Sequence, residues 1–515
     1  MELKQRVVTL LKEMIAIDSE TNTEKEVDME KYLQHVLTSL GNPVKVSLIR
    51  VANDAQGRSV VCGFIPGKKK DTVIFINHHD VVGAESYGLF RDDAFSPDRL
   101  LSDLIEFETD ETIVSELKSG EWIVGRGACD MKGGLAAQLA VFEAYAKHPG
   151  NASLLFVSLP DEESYSAGMR AAIPVLKEFR ETYGLQYKIL INSEPNPKKG
   201  NTICAYTGSV GKLLPVVLVQ GKLAHVGQYQ QGINPVGVLS RMIADTEGDM
   251  TLADRVGDAV TPPPAWMFAR DRKTHYDVSL PERAAGCVNF MTYTKTPEDV
   301  MYILMDCARK AVNESLLHSR QGLSMDVLSS AELLKRAETY PGFDVFYENV
   351  KNNSFIRLQN GETTYVQETI GLIEAILDFT GMHDPMVIIT FAPPYYPAAD
   401  SLSLHDEQFK QILDTIHGII DVSFEHYFNG VSDCSYCCPD PNLDESLVEA
   451  NLPLWGKAYG MDFGAMEDMH IPFLLLGPWG KDLHERTERV NIESVSETLP
   501  KVLQSILAHV SDMAQ

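Results

Sequence analysis

Four segments of this chain place side chains able to hold a cation just after short apolar runs. They are His78-His79-Asp80, Asp161-Glu162-Glu163, Ser193-Glu194-Pro195 and the stretch from Gly477-Pro478 to His484. A fifth segment, Gly125-Arg126-Gly127-Ala128-Cys129-Asp130-Met131-Lys132-Gly133-Gly134, sets an aspartate in a glycine-rich turn before a helical pattern. These residue types fit the hydrolysis of an amide near neutral pH, which needs an activated water, a polarised carbonyl and a proton shuttle. Two divalent ions roughly 3.5–4 Å apart supply the first two. Imidazoles and carboxylates must close the sites, and a free carboxylate must move the proton.

Each member is weak alone. At a strand end, residues i and i+2 point the same way, so Asp80 can accept from the second N–H of His78 and fix its tautomer. Asp130 could equally be a plain helix N-cap. Glu162 and Glu163 repel each other, which suits a solvated surface or a place beside cations, where one binds metal and the other takes a proton. Glu194 and His484 gain meaning only from the set. Asp130, Glu163 and Glu194 against two divalent cations leave one net positive charge, which suits a bound hydroxide or a developing oxyanion. Without metal, three clustered carboxylates would have raised pKa values and weaken the fold.

The elements that must position these residues follow from periodicity. Thr72–Asn77, Leu154–Pro160, Tyr187–Asn192 and Phe473–Pro478 are too short and uniformly apolar for amphipathic helices and read as strands. Helical patterns at Leu135–Lys147 and Ala167–Thr182 lie between them, so the expected architecture is α/β with a mostly parallel sheet. In such sheets ligands bind at the carboxyl ends of strands, where all four motifs would converge. A second region reads as strand Lys212–Gln220, helix Pro235–Thr246, strand Cys287–Thr294, helix Pro297–Leu317 and strand Met386–Phe391. That alternation predicts a small α+β domain inserted into the first, giving catalytic parts at 1–207 and 399–515 and an inserted domain at 208–398. Pro-rich tracts at Thr261–Pro264 and Pro393–Pro397 read as loop material, and the acidic stretch 103–116 as a solvated surface insertion.

Composition excludes several function classes. Lys plus Arg number 45 against 72 Asp plus Glu, a net charge of −27 that repels nucleic-acid backbones and anionic lipids. No signal-peptide pattern opens the chain and no apolar run approaches a membrane span, so a cytoplasmic location is expected. Eight cysteines suit free thiols in a reducing compartment. Cys434, Cys437 and Cys438 lack a second pair, which makes a cysteine zinc site the weaker reading. A thiol enzyme built on Cys129 lacks a nearby base in the sequence.

Taken in order, the motifs resemble the two-metal peptidase family of acetylornithine deacetylase, succinyl-diaminopimelate desuccinylase, aminoacylase and glutamate carboxypeptidase. They are His78-x-Asp80, Gly125-Arg126-Gly127…Asp130-Met131-Lys132-Gly133-Gly134, Asp161-Glu162-Glu163, Glu194-Pro195, Gly221-Lys222-x-Ala224-His225 and Gly477-Pro478…His484-x-x-x-Glu488. Length, the Ile17-Asp18-Ser19 segment and the large insertion are most similar to the arginine-utilisation RocB-type branch. The resemblance implies an αβα catalytic domain and a ferredoxin-like lid that also forms a homodimer. It implies that Asp130 bridges two metals, with His78 and Glu194 completing one site and Glu163 and His484 the other. Glu162 would be the general base, Asp80 would orient His78, and His225 would reach a partner's site to stabilise the oxyanion. A non-proline cis peptide after Asp130 is implied as well. Two departures stand out: Met291 occupies the place of a lid arginine that grips a substrate carboxylate, and about 319–384 forms an insertion of roughly 60 residues beyond usual loop lengths.

The reading is therefore a zinc-dependent peptidase or N-acyl-amino-acid amidohydrolase, with cobalt or manganese as alternative ions. Its substrate would be a small peptide or N-acyl amino acid, with arginine or amino-acid catabolism as the context. Nucleic acid and membrane are not expected partners. The alternative is a non-catalytic metal- or ligand-binding protein retaining the fold, and it would call for a missing ligand or base.

Overall fold

A computed structural model describes residues 2–317, 319, 322–428, 430–439 and 443–513. Its largest sheet has ten strands, and the strands that deliver the site lie at its parallel centre. Ser153–Leu159, Asp71–His78, Gln186–Asn192 and Phe473–Leu475 run side by side in that order, all parallel. Asp71–His78 and Ser153–Leu159 are buried along their whole length, as a parallel sheet covered on both faces requires. In register, Ile74 faces Leu155 on one side and Leu190 on the other. Antiparallel strands Lys45–Arg50 and Ser59–Ile65 extend one margin, and Thr202–Ser209 with its partners the other. The sheet's two faces feed separate cores: Ile74 and Ile76 belong to one, Val73 and Phe75 to the other.

The helix Lys132–Lys147 lies in the second core against Leu3–Ile15 and Leu499–Asp512, with little of its surface in solvent. Gly134 permits this closeness: a Cβ there would stand 2.0 Å from the Ser193 carbonyl oxygen. Gly477 does the same from the other side, where a Cβ would meet the Glu194 carbonyl at 2.1 Å. These glycines let the Asp130 turn, the Glu194 strand end and the segment leading to His484 pack together.

A second sheet of five strands runs Ala265–Asp271, Arg283–Thr292, Gly211–Gln220, Met386–Tyr396, Asp326–Ser329. The first four strands are antiparallel, and with the helices Pro235–Thr246 and Pro297–Leu316 they have ferredoxin-like connectivity. The fold is thus α/β with a smaller α+β sheet domain inserted. Both helices begin as their sequences require, Pro at the first position after a capping Asn234 or Thr296. Alternation along Gly211–Gln220 sends Val217 and Val219 toward those two helices and Val216 and Leu218 the other way.

That other face explains the insertion. Its helices Ser330–Ala337, Phe343–Gln359 and Tyr365–Thr380 bring Leu333, Phe343, Ile370 and Ile373 over Val216 and Leu218. The acidic stretch near 103–116 also differs from the expectation of a solvated insertion. It joins the helices Pro97–Phe107 and Glu111–Lys118, which bury Leu104 and Leu117. Glu116 pairs with Lys481 and Arg489, and Glu108 with Arg486, so its charge ties down the segment that carries His484. Among the described residues no helix is long and apolar enough to cross a membrane.

Candidate metal centre

His78 ends its strand buried, and its Nε2 lies 3.2 Å from Asp130 Oδ1 and 3.5 Å from Glu194 Oε1. His484 reaches the same aspartate from the opposite side, its Nε2 3.1 Å from Asp130 Oδ2 and 3.3 Å from Glu163 Oε1. The two oxygens of one carboxylate therefore each face a different histidine, and each histidine has its own second carboxylate. Ligand atoms of His78, Asp130 and Glu163 lie within 4.8 Å of one another, as do those of His78, Glu162 and Glu194. Asp130 does not cap a helix: the following helix has Met131 at its N-cap position with no side-chain cap. The Asp130–Met131 peptide is cis.

Asp80 contacts both His78 and the loop of the two glutamates. The ring Nδ1 of His78 lies 3.0 Å from the Asp80 carbonyl and 3.5 Å from its carboxylate. The carboxylate accepts from the backbone N–H of Glu162 at 3.2 Å and of Glu163 at 3.1 Å, fixing the loop that carries both glutamates. That loop opens at Asp161, which has φ +68 and is held by Arg58, Glu26 and the Ala167 amide. A non-glycine residue there costs about 1–3 kcal/mol and persists only where its surroundings over-determine it.

Behind Asp130 stands Glu488, a motif residue whose role the sequence leaves open. Its Oε1 accepts from the amides of Cys129 at 3.0 Å and Asp130 at 3.2 Å, and its Oε2 pairs with buried Arg126 at 2.7 Å. Arg126 also donates to the His484 carbonyl at 3.0 Å, so one guanidinium joins the Asp130 turn to the His484 loop. Asp433 is buried, and no donor among the described residues reaches either of its oxygens in hydrogen-bonding geometry. It lies close enough to His78, Glu194 and Glu162 to affect their charge.

Electrostatics describe a cluster short of positive charge. Burial, with neighbouring Asp130, pushes Glu163 up, and burial with Glu194 pushes Glu162 well up despite His78. Burial raises Glu194 to about 7 against the pull of His78. His484 is raised to about 10 by bonds to Asp130 and Glu163. Burial opposes protonation of His78, but Glu194, Asp130 and Asp80 outweigh it and hold the ring well above its usual value. Glu163 Oε1 is buried and, although His484 Nε2 lies 3.3 Å away, no donor among the described residues reaches it in hydrogen-bonding geometry. Glutamates and imidazoles pushed up together around Asp130, whose own carboxyl, despite burial, the two histidines hold below its usual value, form a donor set that divalent cations fit.

His225 is placed elsewhere. It is exposed on the segment after Gly211–Gln220, its Nδ1 accepts from the Gly227 amide, and no bond joins it to the cluster. Met291 is half-buried opposite Lys212, whose amine burial pulls below its usual value. Cys129 is buried with its thiol pushed well up by burial, the reverse of a reactive cysteine. Cys434, Cys437 and Cys438 are buried free thiols, and among the described residues no ligand grouping includes them.

Residues 101–509 match the model of peptidase family M20/M25/M40. The chain is 29% identical over 98% of its length to the uncharacterized protein YqjN of Bacillus subtilis, covering 96% of that protein. It is 28% identical, again over 98%, to protein RocB of the same organism, covering 95% of it. Among solved structures it resembles YxeP of Bacillus subtilis, described as a dinuclear metal-binding peptidase, with TM-score 0.54, 10% identity and 99% of each chain covered.

Proposed function

The chain belongs to peptidase family M20/M25/M40 and is a metal-dependent amide hydrolase, and from that premise we propose that Asp130 bridges two divalent ions in a hydrolase of small peptides or N-acyl amino acids. The observation that carries this reading is the split of one carboxylate between two histidines. His78 and Glu194 would hold one ion, Glu163 and His484 the other, with zinc expected and cobalt or manganese compatible with the same donors. Ions bound there would lower the pKa of water and polarise the substrate carbonyl.

The chain's own residues supply the rest. Glu162, whose ligand atom lies within 4.8 Å of those of His78 and Glu194, takes the proton of the attacking water and returns it to the leaving amine. Its raised affinity for protons, set by burial, suits that exchange. Asp80 keeps Glu162 and Glu163 in place through their amides.

The inserted domain, proposed at 208–398, would act as the lid, and a homodimer through it would let His225 serve the partner's site. Leu223 (63% exposed) and Val226 (51%) flank His225, and Tyr276 (93%) lies near its bridge to Ser279, which supports a contact surface there. Arginine or amino-acid catabolism in the cytoplasm remains the proposed context, supported by the RocB-type resemblance.

Glu162→Gln tests the assignment. Turnover of N-acyl amino acids or dipeptides should fall at least about 100-fold while bound metal is unchanged. Turnover within a few-fold of the parent chain would remove Glu162 from its role.

A further inference from the structure

A cleft of about 920 Å³ is lined by none of the proposed metal ligands, although Asp161 in its wall adjoins Glu162. Its walls are the 51–58 loop, the start of the Ala167–Tyr183 helix, the turn between Phe343–Gln359 and Tyr365–Thr380, and the segment 456–464. The insertion therefore builds one wall, and the loop that carries Glu162 and Glu163 lends Asp161 and Tyr165 to another.

Two guanidinium groups line the cleft, and they differ in what they have left to give. Arg58 is spent on Glu26, Asp54 and Asp161. Arg170 stacks over the Tyr459 ring at 4.3 Å and donates to two carbonyls, Gly460 at 3.0 Å and Tyr165 at 3.4 Å. Among the described residues no carboxylate pairs with it. A guanidinium has five N–H donors, so among the described residues the Nη2 edge and one Nη1 hydrogen have no acceptor in hydrogen-bonding geometry. That edge is the fork that binds a carboxylate in two parallel bonds. Tyr165 and Tyr365 meet edge to face at 4.7 Å, and Tyr365 lies 6.0 Å from Tyr459, giving a ring-lined wall beside the charge. The lining also carries Glu445, Glu449 and Asp462, which suit an ammonium group.

We propose that this cleft is a second binding site, for a small carboxylate-bearing molecule of amino-acid or short-peptide size, gripped by Arg170 and packed against Tyr165, Tyr365 and Tyr459. The volume suits such a ligand. Because Arg170 also holds the Tyr165 carbonyl, an occupant bears through one side chain on the loop of Glu162 and Glu163.

The test is binding, independent of activity. The free L-amino acids, each titrated singly into the metal-loaded full chain, are followed by calorimetry and thermal shift. At least one should bind with Kd below about 10 mM. The same probe should bind at least about tenfold more weakly to Arg170→Gln, which loses the charged fork. Gln359→Trp, which fills the cleft and leaves Arg170 intact, should also lose it, and His484→Ala should keep it. Unliganded melting curves confirm that each variant folds. No binding by any probe overturns the proposal, as does binding that survives in both cleft variants. Binding lost in His484→Ala but kept in Arg170→Gln would place the probe at the metal centre and overturn it equally.

Discussion

Adding one methyl group at Gly134 should damage the metal centre without touching a proposed ligand. A Cβ at this position would lie 2.0 Å from the Ser193 carbonyl oxygen, 2.8 Å from the Ser193 Cβ and 2.9 Å from its carbonyl carbon. Two of these are backbone atoms, so no side chain can rotate away. Either the start of the Lys132–Lys147 helix or the end of the Gln186–Asn192 strand must retreat, on the order of 1 Å or more in a closely packed interior. Asp130 precedes that helix and Glu194 follows that strand, so the move separates two carboxylates whose ligand distances tolerate only about ±0.2 Å. Overpacking costs about 1–3 kcal/mol, partly offset by about 1 kcal/mol of helix propensity. Gly134→Ala should therefore fold with a Tm lowered by a few degrees, and bind metal far more weakly than that modest loss would suggest. Gly371→Ala is the control: it lies inside Tyr365–Thr380 with nothing within 4 Å, and should be neutral or stabilising. Metal content after dialysis and melting curves with and without chelator measure both effects. A Gly134→Ala chain that keeps its full metal content and Tm would refute the reasoning.

Glu488→Gln should weaken metal binding about 10- to 100-fold, because one amide cannot satisfy both Arg126 and the amides of Cys129 and Asp130. Competition with a chromophoric chelator measures this, and an unchanged affinity would strip Glu488 of its supporting role. Loading zinc at pH 8 should release protons, since the metal-free cluster holds His484 protonated up to about pH 10 through Asp130 and Glu163. The sign for stability follows: the contribution of the His484 contacts is complete below about pH 6.5 and disappears as pH rises through about 10. Calorimetric heats of zinc binding should therefore differ between buffers of different ionisation enthalpy, and equal heats would contradict the protonated cluster.

Much of this was legible because strand ends and motifs coincide. Apolar runs such as Val73-Ile74-Phe75-Ile76 are bounded by polar residues, so each strand could be read with the side chain it delivers. Asn234-Pro235 and Thr296-Pro297 likewise mark their helix starts in local chemistry. What escaped is long-range. Glu488 supports Asp130 across more than 350 residues, and nothing local to either announces it. The carboxylate of Asp80 holds the amides of Glu162 and Glu163, where the spacing suggested only a partner for His78. The helix Phe343–Gln359 buries few of its residues, so its sequence carries no clear apolar stripe to show that the insertion covers a sheet face. Arg170 is an ordinary helix residue in sequence, and only the fold brings it to the wall of a cleft.

The most direct test of the two-metal account is the number of ions bound per chain. It is measured by elemental analysis on protein purified without chelator or polyhistidine tag, beside Asp130→Ala. The account predicts about two divalent ions in the natural chain and close to none in the variant, because both sites share that carboxylate. One ion or none in the natural chain, or two retained by Asp130→Ala, would contradict it.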